Sequence, residues 1–335
     1  MSITQIPGRT KCNLSFSSKT EAKNLKEVIL EKEGNIEAIT KKSSPDFSKI
    51  ATSDEGMFAT PDDYGTSYYY RGNINDNYVL FGDYLWRIVR INGDGSIRLI
   101  YAKTLHDSDT IFPFRTIYNP TSKNPYQFNA FVGYMYGNIQ GTTYKETHQN
   151  TYNSLLKDAI DEWYRINLRD LENYLADNSF CNDRSLAKGY EQAGYGTTKT
   201  IYALDRINSY SPTLQCAQQN DRFTVSDTTV GNGALDYPIG TISADELMFA
   251  GAVVDEPNPD YYLYIGDNWR TMTPSATENY PTVCTAESGE PKWSLYCHVS
   301  VGDGGIQGIR PVINLKKTVT TTYGDGTKEN PYIIS

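Results

Sequence analysis

Apolar and charged residues partly alternate through Leu85-Trp86-Arg87-Ile88-Val89-Arg90-Ile91, and the run ends in Asn92-Gly93-Asp94-Gly95. Alternation closed by Asn-Gly and Asp-Gly steps is the pattern of an antiparallel hairpin, because those residues accept the positive φ of a tight turn. The pattern predicts strands over 67–71, 78–81, 84–92 and 96–101. A helical period stands on either side of this block. Ala22, Leu25, Val28 and Ile29 follow Thr20 at helical spacing and stop at Gly34, predicting a helix over 20–33 after a strand over 9–17. Tyr152, Leu155, Leu156, Ala159, Ile160, Trp163, Tyr164 and Leu168 form one apolar stripe, predicting a helix over 151–175 that packs on the sheet. Ser243 and Glu246 have capping-box spacing for a short helix. Further strands are expected over 261–265, 269–273, 283–285, 293–301 and 309–315. Polar residues 41–48, with Ser43, Ser44 and Pro45, read as a linker, so residues 1–45 are expected to be a small strand-helix preface and 46–335 the main module. This order of elements predicts an α+β fold with an antiparallel sheet, one long packed helix and extended loop insertions.

Between 105 and 148 the periodicity fails, apart from a possible strand over 131–135. Tyr, Asn, Pro and Gly dominate there, and long loops of this kind carry binding surface more often than core. Tyr118, Tyr126, Tyr134 and Tyr136 supply flat contact area with a polar tip at low ordering cost, as binding loops require. The alternative is a Tyr-rich loop packed on its own sheet. The chain has 27 Tyr against 11 Phe, a bias that suits strands with one wet face or a binding surface. Acidic residues outnumber basic ones, 40 to 31, without charge blocks, which disfavours a nucleic-acid partner. No stretch comes near the roughly 18 consecutive apolar residues of a membrane span, so direct membrane insertion is not expected.

Five cysteines, Cys12, Cys181, Cys216, Cys284 and Cys297, lack the spacing of a zinc site. They are either buried free thiols or two disulfides, Cys181 to Cys216 and Cys284 to Cys297, with Cys12 unpaired. The four lie in polar, turn-rich segments that offer a lone thiol little core, which favours the bridges and an oxidising compartment. Residues 1–11 lack the apolar core of a signal peptide, so export would depend on a leader outside this sequence.

Tyr68-Tyr69-Tyr70-Arg71-Gly72-Asn73, the 84–95 hairpin, Cys181-Asn182-Asp183-Arg184, Gln219-Asn220-Asp221-Arg222-Phe223 and Gly308-Ile309-Arg310-Pro311-Val312-Ile313-Asn314-Leu315 together resemble an uncharacterised family of surface-protein modules of Gram-positive gut bacteria. The likeness covers roughly 46–334. More distantly, the order of the Trp86-Arg87 hairpin, the helix, Ser243-Ala244-Asp245-Glu246, the Trp269-Arg270 segment and Gly308-Ile309-Arg310-Pro311 is similar to C-type-lectin-like domains of the formylglycine-generating-enzyme type. The resemblance implies an extracellular or cell-surface module that recognises a glycan or a host or microbial surface protein. A structural tip or spacer is the alternative. It also places the 273–293 stretch among ligand-presenting loops, which adds Trp269 and Trp293 to the candidate contacts.

Catalysis on that scaffold would need two closely spaced thiols to hold copper. Cys284 and Cys297 depart from that spacing, so an oxygen-dependent enzyme is disfavoured and no cofactor is expected. His106, His148 and His298 stand in no nucleophile-elbow or HExxH context. Asn92-Gly93-Asp94-Gly95 and Gly302-Asp303-Gly304-Gly305 offer one carboxylate each, too few for calcium. Glu256-Pro257-Asn258 resembles the sugar loop of calcium-dependent lectins, but the Asp267-Asn268-Trp269 that follows reads in reverse order.

Overall fold

The computed structural model describes residues 21–105, 133–137, 143–190, 202, 204–276, 282–288, 292, 294–300 and 308–334. The predicted hairpin is strands Tyr84–Ile91 and Ile97–Tyr101, paired antiparallel. They sit in the middle of an eight-stranded sheet that contains six strands in the order Ile239–Gly240, Val312–Leu315, Ile97–Tyr101, Tyr84–Ile91, Gly65–Gly72 and Asp54–Asp62, every neighbour antiparallel. The first half of Tyr84–Ile91 also pairs with Tyr78–Phe81, whose other edge takes Tyr332–Ile333 in parallel. A four-stranded sheet holds Tyr296–Ser300, Thr282–Ala286, Trp269–Ala276 and Gly308–Ile309. The protein is therefore a mixed α+β fold of mostly antiparallel sheets with few helices.

The segment Gly308-Ile309-Arg310-Pro311 carries the chain from the smaller sheet into the larger. Arg310 is fully buried there: Nε donates to Tyr101 O at 2.9 Å, Nη1 donates to Leu263 O at 2.8 Å, and the guanidinium lies 4.8 Å from the Trp269 ring centre. A side chain at Gly308 would meet Thr104 Cγ2 at 1.7 Å, so the crossing requires glycine. Residues 261–265, expected as a strand, form turns instead. Tyr262 N donates to Gly72 O and Tyr264 N to Tyr261 O, and Tyr261, Tyr262 and Leu263 are buried without a ladder.

The long helix spans Leu155–Asn167, capped by Ser154, whose hydroxyl accepts from Lys157 N. A 3-10 turn, Arg169–Tyr174, follows it, so the helix is shorter than the stripe predicts. Leu156, Ala159, Ile160, Trp163 and Tyr164 are buried. Trp163 packs against Tyr84 at 5.3 Å, Tyr101 at 5.9 Å and Trp86 at 6.2 Å between ring centres. Burial of a side chain of this size contributes about 1.5–3 kcal/mol, which anchors the helix on the hairpin. Tyr152, read as part of the stripe, instead lies in a two-residue strand ahead of the helix.

Of the expected preface, residues 1–20 lie outside the described residues. Helices Leu25–Lys32 and Ile36–Lys41 follow. Leu25, Ile29, Leu30 and Ile39 join the same apolar cluster as Trp86 and Trp163, and Lys23–Asn24 pairs with Thr320–Thr321. Position 45 thus marks a change of local structure within one continuous core.

Candidate functional site

Strand Met135–Tyr136 pairs antiparallel with Tyr152–Asn153. The register sets Tyr136 opposite Tyr152, and their rings lie 5.7 Å apart at 31°. Tyr152 is 54% exposed, so this pair presents aromatic surface to solvent. The ladder is fastened to the helix by Ser154, whose N and Oγ both donate to Tyr134 O, at 3.1 and 2.8 Å. Helical spacing then carries Asp158, Asp161, Glu162 and Arg165 along one side of the helix. The facing wall is Asp236 and Tyr237, with the Tyr237 ring stacked on Tyr164 at 5.0 Å. Together with Asn153 these residues line a groove of about 460 Å³, within the range of small-ligand sites.

Beneath the groove, Lys157 is fully buried, its Nζ 2.5 Å from Asp161 Oδ2 and 3.1 Å from Asp236 Oδ2. Burial pushes the Asp161 carboxyl up to about 6 against the pull of Lys157. Asp161 Oδ1 has no hydrogen-bond partner among the described residues. Asp158 accepts from Asn153 Nδ2 at 3.0 Å. Arg165 forks onto Glu162 at 2.7 and 2.6 Å. Burial, then the nearby Asp158 charge, raises the Tyr136 phenol. Half-exposed aromatic rings beside an amide, a guanidinium and carboxylates suit a polyhydroxylated ligand: the rings cover apolar C–H faces while the polar groups exchange hydrogen bonds with hydroxyls.

Of the aromatic candidates, Tyr136 is partly exposed on the ladder that carries Asn153, and is not itself among the residues lining the groove. Tyr134 and Trp269 correct the expectation of ligand contact. Tyr134 is fully buried, its hydroxyl donating to Ile239 O at 2.6 Å and its ring against Phe223. Trp269 is 1% exposed beneath Arg310, so neither ring has surface left for a ligand. Tyr118, Tyr126 and Trp293 lie outside the described residues. Both disulfides are present, Cys181–Cys216 and Cys284–Cys297, and fit an oxidising compartment. Cys12 lies outside the described residues.

Asn258 is buried, and its Nδ2 donates to Ala51 O and Gly251 O, so its amide holds the fold together. No group of three His, Cys, Asp or Glu side chains among the described residues is arranged to hold a metal ion. The two Asn-Asp-Arg motifs face each other where Phe180–Cys181 pairs with Arg222–Phe223. Asp221 accepts from Arg184 N and Nε at 2.9 and 2.8 Å and lies 2.6 Å from His148 Nε2. Burial opposes its ionisation, but Arg184 and His148 hold its carboxyl below the usual range. These contacts clasp the loop that carries Tyr136 and Tyr152. A second buried network joins Arg90 to Asp62 and Glu246, and Arg98 to Glu246. The cavity beside it is about 20 Å³, room for a water molecule and no organic ligand.

The sequence matches no protein-family model, and neither a curated protein nor a solved structure is similar to it. No helix among the described residues is long and apolar enough to cross a membrane.

Asp158, Asp161, Asp236 and Tyr237 were not singled out by the sequence, and Tyr152 was read there only as part of the helical stripe. The polar face of the 155–167 helix was the available signal, since 158, 161 and 162 are all acidic. An acidic chain offers many such triplets, and nothing local marks Asp236 as their partner.

Proposed function

We propose that this chain is an extracellular recognition module with a C-type-lectin-like fold, part of a bacterial surface protein, and that it binds a glycan in the groove between the 155–167 helix and residues 236–237. The observation that carries the reading is the Tyr136–Tyr152 ring pair, with Tyr152 54% exposed, on the short ladder whose Asn153 lines a groove of carboxylates, an amide and a guanidinium. The two disulfides and the resemblance of the Trp86-Arg87 and Gly308-Ile309-Arg310-Pro311 segments support the location and the fold. The first described strand, Lys23–Asn24, pairs with Thr320–Thr321 near the other end of the chain, in keeping with a domain closed on itself as a loop.

The oxidised protein applied to a glycan and mucin array tests the proposal, beside Tyr152→Ala. Competable binding by the parent is expected, weakened about five- to thirtyfold by Tyr152→Ala, because a stacking ring is worth roughly 1–2 kcal/mol. Thermal stability should change little, since the ring is more exposed than buried. Undiminished binding by Tyr152→Ala would move the site elsewhere. A blank array for the parent would favour a structural spacer.

A further inference from the structure

Lys157 has no exposed surface, which is rare for a lysine, because a buried ammonium is costly unless anions and hydrogen bonds offset its lost hydration. Two carboxylates stand at contact distance from its Nζ. Asp161 Oδ2 lies 2.5 Å away, one helical turn on, and Asp236 Oδ2 lies 3.1 Å away, from a segment 79 positions along the chain. Their surroundings differ. The Asp161 side chain is nearly enclosed, whereas that of Asp236 is 69% exposed and lines the groove. Burial makes Asp161 favour its neutral form in spite of the adjoining ammonium. A carboxyl that takes up a proton readily therefore touches an amine, and the same amine touches a second carboxyl brought in from a distant segment. Groups held at about 3–3.5 Å react with the advantage of an intramolecular step.

We propose that this chain forms an internal amide cross-link between Lys157 Nζ and Asp236 Cγ, with Asp161 as the proton carrier. Asp161 takes a proton from the Lys157 ammonium, and the freed amine attacks Asp236 Cγ. A second proton then leaves the nitrogen. Both protons pass through Asp161 to one oxygen of Asp236, which departs as water into the groove. Two N–H bonds and one C–O bond break, while one C–N bond and the two O–H bonds of water form, so no oxidant or further reactant is consumed. One positive and one negative charge become a neutral amide, which removes the buried ammonium charge. Asp236 is the acceptor because its carboxyl opens to solvent, where water can leave, while the enclosed Asp161 ends as it began and serves both transfers. The product ties the 155–167 helix to the 236–237 wall, whatever the groove binds.

Mass spectrometry of the full chain, folded, then reduced and denatured, tests the proposal. The parent is expected to be lighter than its sequence by one water, and its protease digest to contain a branched peptide that joins Lys157 to Asp236. Asp236→Ala and Asp161→Ala, each checked for a cooperative melt, should both restore the full mass and the linear peptides. The parent gives the decisive reading, so a variant that fails to fold leaves the test intact. A parent of full mass with only linear peptides from 157 and 236 would overturn the cross-link. A branch from Lys157 to Asp161, or water loss that persists in Asp236→Ala, would overturn Asp236 as the acceptor. Water loss that persists in Asp161→Ala would overturn Asp161 as the proton carrier.

Discussion

Lys157 and Asp161 show what burial does to a single charged pair. The lysine has no exposed surface, and the aspartate keeps its proton to about pH 6 because burial penalises the charged form more than Lys157 rewards it. Its unfolded value is about 3.9, so between roughly pH 4 and 6 the folded state binds more protons than the unfolded one. The stabilising contribution of the neutral form is complete below that window and is lost as pH rises through about 6. Asp161→Asn stays neutral throughout. Thermal melts of both proteins at pH 4 and pH 7 should show the parent losing stability relative to the variant on going to pH 7. A difference that does not change with pH would rule out an Asp161 titration in that window.

Helix Ala244–Ala250 illustrates an element held by one side chain. All seven of its residues are buried, and Glu246 closes the capping box with Ser243 N at 3.0 Å while pairing with Arg90 and Arg98 of the central hairpin. Burial alone would raise the Glu246 carboxyl, but Arg98 and then Arg90 outweigh it and hold it low. Glu246→Gln leaves buried Arg98 without its carboxylate and Arg90 with Asp62 alone, and its expected cost is about 3–5 kcal/mol. Urea unfolding monitored by tryptophan fluorescence reads this cost, and a loss below about 1 kcal/mol would show that water or rearrangement satisfies the arginines. The Ser243–Glu246 spacing was legible in the sequence because a cap is a local arrangement of four residues. The arginine partners were not, since they lie 148 and 156 positions away. The hairpin was legible for the same local reason. Residues 261–265 were misread as a strand because buried aromatic residues look alike in sequence whether they sit in a ladder or in a turn.

Across the whole molecule, the disulfides reinforce ladders that already exist: Cys284–Cys297 joins the paired strands Thr282–Ala286 and Tyr296–Ser300, and Cys181–Cys216 lies beside the pairing of Phe180–Cys181 with Arg222–Phe223. Cys181–Cys216 links positions 35 residues apart and braces the clasp formed by Asp221, Arg184 and His148, which in turn supports the loop bearing Tyr136 and Tyr152. Loop-closure entropy assigns such a bridge about 3–4 kcal/mol. The double variant Cys181→Ser with Cys216→Ser should therefore unfold at lower denaturant, and should lose glycan affinity as the clasp loosens. Unchanged stability and affinity together would make the bridge incidental to the site. What the sequence determined by itself were features written in neighbouring residues: the hairpin alternation and its Asn-Gly-Asp-Gly turn, the apolar stripe of the long helix, the capping box, and the polar surroundings of the four bridged cysteines. What only the tertiary structure decided was exposure and company. Tyr134 and Tyr136 are two residues apart, yet one lies in the core and the other is partly exposed. Lys157 and Asp236 meet across 79 positions. Which ring meets solvent, and which carboxylate meets a buried ammonium, depends on how distant segments pack, because burial and electrostatic field are properties of the assembled interior that local periodicity does not encode.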